Sequence, residues 1–322
     1  MRKYVAIGLC LFMLGCSKTA KVIAPSDIDE PDRDLYEKAM KDMDRHNYTL
    51  ARLNLQTLIG AYLDSDYFQR AKYAIAESYY REGGRENLDS AEAAYKDYII
   101  YFRDSDLADD AQLMVAMTHV RRVQSPDRDN TEARLAELEL KEMIASYPNS
   151  EHLEEAKKKL REVDEVLAEG NLRIANQYFL RKQYKASIGR YLENEDKYPD
   201  YTQMDLNLFY HAESLRLLPP PPDVHPNPNL EASGRYYAEV VSNYPMSIKA
   251  KQAIQRLMEL MMPVPPPNPV AVAHAPQEVD KGGFFNKTIG VFKGHPTVPT
   301  DTGAASVRDG EKNKIDPKAK KD

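Results

Sequence analysis

A short tag recurs five times along the 322-residue chain. It reads Tyr62-Leu-Asp-Ser65, Phe102-Arg-Asp-Ser105, Tyr147-Pro-Asn-Ser150, Tyr198-Pro-Asp-Tyr201 and Tyr244-Pro-Met-Ser247, with first residues 40, 45, 51 and 46 apart. Each tag closes a stretch of apolar residues at helical spacing, and it closes it with an aromatic. In three tags the next residue is Pro, which has no N–H to donate and clashes with the preceding turn, so the helix stops there. The polar residues that follow suit the start of a new helix. Asp64-Ser65-Asp66 and Asp104-Ser105-Asp106 read as caps, and Asp109 and Asp110 favour the positive end of the helix dipole. A calcium reading of these Asp clusters fails for want of the Gly turn and distal Glu of such a loop. Self-similarity at this period predicts a helical repeat array, in which each unit is stable only against its neighbours.

The small residues give the repeat its type. Tetratricopeptide (TPR) units place small residues where two helices cross closely, with aromatics and a Pro at set offsets. The first unit has Ala39 and Ala51, 12 apart, with Leu35, Tyr48, Leu55 and Leu58. The fourth has Ala175, Tyr178, Tyr184, Ser187, Tyr191 and Pro199, with Ala175 and Pro199 24 apart. The second unit (Ala76, Tyr79, Ala91, Tyr95) carries a three-residue insertion at Gly83-Gly84. The third (Ala116, Ala136, Leu140, Met143, Pro148) carries eight extra residues, and the fifth (Ala212, Ser233, Tyr237, Pro245) nine, rich in proline from Pro219 to Pro222. Leu153, Ala156, Leu160, Val163 and Leu167 mark about one extra helix before the fourth unit, with Glu154/Lys158 and Glu155/Lys159 as i,i+4 pairs on its outer face. A last amphipathic helix over Ile248–Met262 presents Ala253, Ile254, Leu257 and Leu260 and can cap the stack. The expected fold is all-α: a TPR superhelix of about five helix-turn-helix repeats, a C-terminal capping helix and a disordered tail.

The chain opens with Arg2 and Lys3, then 11 apolar residues from Tyr4 to Leu14, too few to span a bilayer. This is the pattern of an export signal. It ends in Met13-Leu14-Gly15-Cys16, which resembles a bacterial lipobox. That resemblance implies cleavage before Cys16, a covalent lipid on its sulfur and, with Ser17 rather than Asp next, an outer-membrane destination. Several acyl chains at one residue give a stable anchor. The expected organisation is a signal peptide over 1–15, an acylated tether over 16–33, the TPR-like domain over 34–262 and a tail over 263–322. Cys10 and Cys16 are the only cysteines, so no disulfide framework or cysteine zinc site is expected. A net charge of −6 excludes binding to nucleic acid through bulk charge.

The lipobox, the five units and their insertions together resemble the BamD-like TPR lipoproteins of the bacterial β-barrel assembly machinery. The most specific stretch is Asp127-Arg128-Asp129, then Thr131 and Ala133, then Tyr147-Pro148-Asn149-Ser150, and the resemblance covers residues 16–262. It implies a scaffold on the periplasmic face of the outer membrane that binds two partners: a POTRA domain of the barrel-forming subunit and unfolded outer-membrane proteins. Arg190, on the second helix of the fourth unit, matches the family's arginine for the POTRA contact, where a guanidinium can grip a carboxylate bidentately. Tyr36 and Tyr73 are candidates for a groove that receives unfolded substrate, since aromatics bury large area at low entropy cost. The alternative within the same fold is another periplasmic TPR lipoprotein, coordinating the cell wall or the Tol–Pal system.

The tail holds nine of the 21 prolines and six of the 14 glycines, the composition of a segment without its own core. Within it Phe284, Phe285, Ile289, Val291 and Phe292 form an apolar cluster flanked by Lys287 and Lys293, a candidate docking motif. No catalytic constellation appears: no phosphate loop, zinc-protease helix or nucleophile elbow. The seven histidines show no ligand spacing and read as solvated or in loops. The expectation is therefore no enzyme, no metal and no cofactor beyond the lipid on Cys16.

Overall fold

The computed structural model describes residues 30–220 and 226–270. These hold eleven α-helices and no strand among the described residues. In order they are α1 (Pro31–Asp44), α2 (Tyr48–Ala61), α3 (Phe68–Glu82), α4 (Arg85–Tyr101), α5 (Ala108–Val120), α6 (Thr131–Ser146), α7 (Leu153–Leu180), α8 (Tyr184–Lys197), α9 (Met204–Leu217), α10 (Pro228–Asn243) and α11 (Ala250–Glu259). They fall into two compact units. Unit 1 holds α1–α6 and α7 as far as Asp164. Unit 2 holds the rest of α7 from Glu165, with α8–α11 and the loop Ser125–Arg128. In unit 1 the helices α1–α6 pack in sequence order as three hairpins, and in unit 2 α8 packs on α9, α9 on α10 and α10 on α11.

Every small residue assigned to a helix crossing is sealed from solvent. Ala39 and Ala51, Ala76 and Ala91, Ala116 and Ala136, Ala175 and Ser187, Ala212 and Ser233 are all 0% exposed. The two serines turn their hydroxyls back onto their own helices, Ser187 Oγ to the Tyr184 carbonyl and Ser233 Oγ to that of Leu230, so neither leaves an unmet polar group. Four residues after the small residue of each second helix stands a large side chain, also 0% exposed: Leu55, Tyr95, Leu140, Tyr191 and Tyr237. Eleven residues after it stands the tag aromatic. Tyr62, Phe102, Tyr147, Tyr198 and Tyr244 share one conformation, φ between −125° and −130°, and each donates its N–H to the carbonyl four residues back. The aromatic closes each second helix as the sequence predicts.

The tag serine acts differently from a cap. Ser65, Ser105, Ser150 and Ser247 each accept the N–H two residues on, forming a turn before the next helix rather than a bond at its N-cap. Their hydroxyls then reach back. Ser65 donates to Asp32 (2.7 Å), Ser150 to Asp109 (2.6 Å) and Ser247 to Asp205 (2.6 Å), each the second residue of its hairpin's first helix. In the second tag the link runs through a tyrosine: Ser105 bonds the Tyr98 hydroxyl, which accepts from Gln69, the second residue of α3. In the fourth tag Tyr201 replaces Ser, and its hydroxyl donates to Glu169 while Thr202 bonds Glu165. Each tag is thus tied to the first helix of the hairpin that it ends.

Four boundaries differ from expectation. The helix beginning at Leu153 does not stop before the fourth unit: α7 is continuous for 28 residues, because that stretch has no Pro and Gly170 alone costs a helix only about 1 kcal/mol. On it Glu154 pairs with Lys157, and Lys159 with Glu162. The first helix starts at Pro31, inside the stretch assigned to the tether, because Pro suits the first helical turn. The last helix is shorter than Ile248–Met262: Ile248 is 80% exposed and Met261 takes φ 54°, ending the helix in a left-handed residue. Residues 1–29 and 271–322 lie outside the described residues, and with them the signal, Cys16, most of the tether and most of the tail.

The tie can be broken without touching the core. Ser150→Ala removes one bond to a carboxylate and one to a backbone N–H, and should lower unfolding stability by about 1–2 kcal/mol in urea titration. Ser146→Ala, on the exposed end of α6, should change it little. Equal values would mean that the tie contributes nothing.

Candidate functional site

In unit 1 the first helices of the hairpins carry a mixed aromatic and charged surface. Tyr36 on α1 stacks on Tyr67, rings 5.1 Å apart, and both are half-buried. Tyr73 on α3 packs edge-on against Tyr95 and Tyr98, each at 5.5 Å. Burial pushes the hydroxyls of Tyr36 and Tyr73 above the ordinary tyrosine range, and both feel the Glu77 carboxylate. Tyr73 therefore belongs largely to the hairpin core, while the Tyr36–Tyr67 pair stands nearer the surface. Tyr79 lies under the Arg52 guanidinium and Tyr80 under that of Arg121. Sequence reading missed Tyr67, Phe68 and Tyr101, and took Phe102 only as a helix stop. Phe68 meets Phe102 edge-on, and Lys72 sits 5.9 Å over both Phe68 and the exposed Tyr101. Tyr67, Phe68 and Tyr101 flank the tags, and that position was the available signal.

The histidines correct the expectation of solvated rings. His119 and His211 are 2% and 1% exposed. Both sit on helices buried on all sides, α5 and α9, where polar positions are enclosed too. His119 Nδ1 lies 2.9 Å from Glu132, and Arg122 beside it binds Glu92 (2.7 Å), Glu132 (3.2 Å) and Asp89. His211 Nδ1 lies 2.8 Å from Glu195. Both rings are hydrogen-bonded structural groups, and the ion pairs beside His119 belong to Arg122. Among the described residues no cluster of His, Cys, Asp or Glu could hold a metal ion.

The Asp-Arg-Asp stretch builds a turn. Ser125 donates to Asp127, and Asp129 accepts both the N–H and the hydroxyl of Thr131 at the head of α6. Those bonds hold both carboxylates below the usual range, and Arg128 is exposed between them.

In unit 2, Arg190 lies on the open side of α8. Its Nη1 donates to Glu193 (2.9 Å), which also binds Lys197 (2.9 Å). The bond from Lys197 outweighs the opposing effect of burial and, with the weaker contribution of Arg190, holds the Glu193 carboxyl below its ordinary range. Gly189 next to Arg190 is exposed, and a Cβ there would meet nothing within 4 Å. No packing among the described residues calls for a glycine there, although it costs the helix about 1 kcal/mol relative to Ala. On another side of α8 a cavity of about 420 Å³ opens between α8 and α10, floored by His211 and Leu215 of α9. Ile188, Leu192 and Ala232 give it apolar walls, and Arg235, Tyr236 and Glu239 a polar rim. Deeper in unit 2, Glu213 is 6% exposed and fully engaged: Arg216 (2.6 Å), Arg256 (2.7 Å) and the Tyr237 hydroxyl (2.7 Å) all donate to it, tying α11 to α9 and α10.

Of the sequence candidates, Arg190, Tyr36 and Tyr73 are therefore placed on helices, Arg190 in unit 2 and the tyrosines in unit 1. Cys16 and the tail motif of Phe284, Phe285, Ile289 and Phe292 lie outside the described residues.

With this geometry in hand, the chain can be compared with known proteins. The family described as "YfiO: Outer membrane lipoprotein" matches residues 28–225. The outer membrane protein assembly factor BamD of Vibrio cholerae is 25% identical over 216 residues, 64% of this chain and 87% of that protein. The protein of the same name from Neisseria meningitidis serogroup B is 24% identical over 257 residues, 77% of this chain and 92% of that protein. Among solved structures, the TPR2AB-domain:pHSP90-complex of yeast Sti1 gives a TM-score of 0.36 at 11% identity, covering 71% of this chain and 84% of that one. The fold described above stands on its own helices and takes nothing from that last likeness.

Glu213 yields a pH test. Burial pushes its carboxyl up, but the bonds from Arg216, Tyr237 and Arg256 outweigh it and hold the group below the ordinary value. A folded pKa below the unfolded one gives stability that is complete above about pH 4.3 and is lost as pH falls through the folded value. Glu213→Gln should therefore cost about 2 kcal/mol near pH 7, with the gap to wild type closing toward pH 3 in thermal melts. A gap independent of pH would assign the loss to packing.

Proposed function

We infer a role in outer-membrane protein assembly from one premise: this chain belongs to the YfiO family of outer membrane lipoproteins. Its relatives are named for assembling outer-membrane proteins, and its all-helical hairpins offer surfaces for other proteins rather than a site for chemistry. The chain acts as a periplasmic scaffold, acylated at Cys16 and held at the outer membrane, that binds a POTRA domain of the barrel-forming subunit and unfolded outer-membrane proteins.

The observation that carries the POTRA contact is the pairing of Gly189 with Arg190 on α8. An exposed helical glycine with open space before it lets another backbone come close, and the chain itself gains nothing from it. Arg190 beside it already bonds a carboxylate, Glu193, through one nitrogen, and its fork keeps donors for a second one. A partner with a carboxylate opposite Arg190 and a small or extended segment opposite Gly189 fits this face. For unfolded substrate, the half-buried Tyr36–Tyr67 stack with Tyr73 alongside suits an extended chain carrying aromatic side chains.

Affinity recovery from detergent-solubilised outer membranes tests the α8 face. Wild-type bait should bring down a POTRA-bearing barrel protein, and Arg190→Glu should lose it. Gly189→Ala should leave the chain about 0.5–1 kcal/mol more stable, while Gly189→Trp should block recovery with the fold intact. Full recovery by Arg190→Glu and Gly189→Trp would remove this face from the contact.

A further inference from the structure

The cavity between α8 and α10 is left unused by this reading. Its walls are apolar, yet its rim carries Glu239, which has no cation paired with it among the described residues. Arg235, one turn away on the rim, is taken by Glu231 (3.2 Å). The other carboxylate nearby, Glu195, is engaged by His211 and Asn207. The site therefore suits an apolar group with a positive charge beside it.

The chain leads its own tail to this place. After α11, Met262 packs against Gly234 of α10, where a Cβ would run into its thioether. Asn268 then donates its N–H to the Ser242 carbonyl (2.9 Å). Ser242 is three residues beyond Glu239, on the face of α10 that carries Arg235 and Glu239. Three residues of helix are about 4.5 Å of axial rise. The described chain thus ends beside the cavity, and 13 residues lie between Val270 and Phe284, so the span of 14 Cα steps reaches at most about 46–50 Å. Lys281, Lys287 and Lys293 punctuate Phe284–Phe292, and no carboxylate lies between the first and last of these lysines.

We propose that the segment 284–292 of this chain docks in the cavity between α8 and α10, with its phenylalanines against Ile188, Leu192 and Ala232 and a lysine against Glu239. Phe284, Phe285 and Phe292 bring apolar surface to match those walls, and Lys287 lies two residues from Phe285. Burial and the Glu195 charge hold the Glu239 carboxyl above its ordinary range, against the pull of His211, and an arriving lysine would relieve that cost. A short tether supplies the segment at an effective concentration of order millimolar, so modest affinity suffices for occupancy.

The chain has no tryptophan, which gives a clean probe. Phe285→Trp is placed in the full mature protein, acylated and in lipid nanodiscs. Emission should be blue-shifted and shielded from iodide, and both effects should be lost when Ala232→Arg or Leu192→Lys is added, with circular dichroism unchanged. A photo-crosslinker at position 285 should mark α8 or α10 of the same molecule. Emission of a solvated indole would overturn the proposal. So would a blue shift that survives both cavity variants, which would place the segment in lipid or elsewhere. Crosslinks between two copies would also overturn it.

Discussion

The bond from each tag back to the first helix of its own hairpin is the constraint on which the rest depends. Two crossed helices sealed by a small residue fix an angle but not an exit direction. The tag supplies that direction: an aromatic stops the second helix, a serine turns the chain, and the serine hydroxyl reaches a carboxylate in the first turn of the first helix. That carboxylate sits where the helix dipole favours negative charge, so the acceptor is stabilised where it is needed. The next hairpin therefore starts from a fixed point. The second and fourth tags keep the tie with other groups, Gln69 through Tyr98 and Glu169 to Tyr201. The contact is thus met by several chemistries, and the geometry is what they share.

Much of this was legible in the sequence, because burial at a helix crossing admits so few residue types. Ala39, Ala51 and their counterparts in every unit could be read from spacing alone, and each is sealed. The aromatic stops followed from the tags. The function of the tag serine was not legible, since its acceptor lies 33 to 42 residues away in sequence. The merger that makes α7 was hidden for the opposite reason: the repeat pattern implies a break that no residue enforces. His119 and His211 read as surface groups because their burial comes from helices packed on both sides of α5 and α9, a tertiary effect with no local mark.

The candidate sites divide along the same line. Tyr73 was a groove candidate in the sequence and is held by Tyr95 and Tyr98. Arg190 looked like a contact residue by resemblance and stands on an open helix face with half of its fork in use. Gly189 gives that face a second mark that resemblance did not supply, a helical glycine that no packing among the described residues requires. Among the described residues Gly189 has no packing role and Glu239 no paired cation, and the proposed partner and the proposed tail docking would each complete one of them.

The central claim is that this chain holds together a machine that places barrel proteins in the outer membrane. Depleting it from its own bacterium, then measuring heat-modifiable folded barrel proteins in isolated outer membranes, tests that claim most directly. The account predicts that folded barrels fall as the chain is lost and return with wild type but not with Arg190→Glu. Undiminished barrel assembly after complete depletion would contradict it.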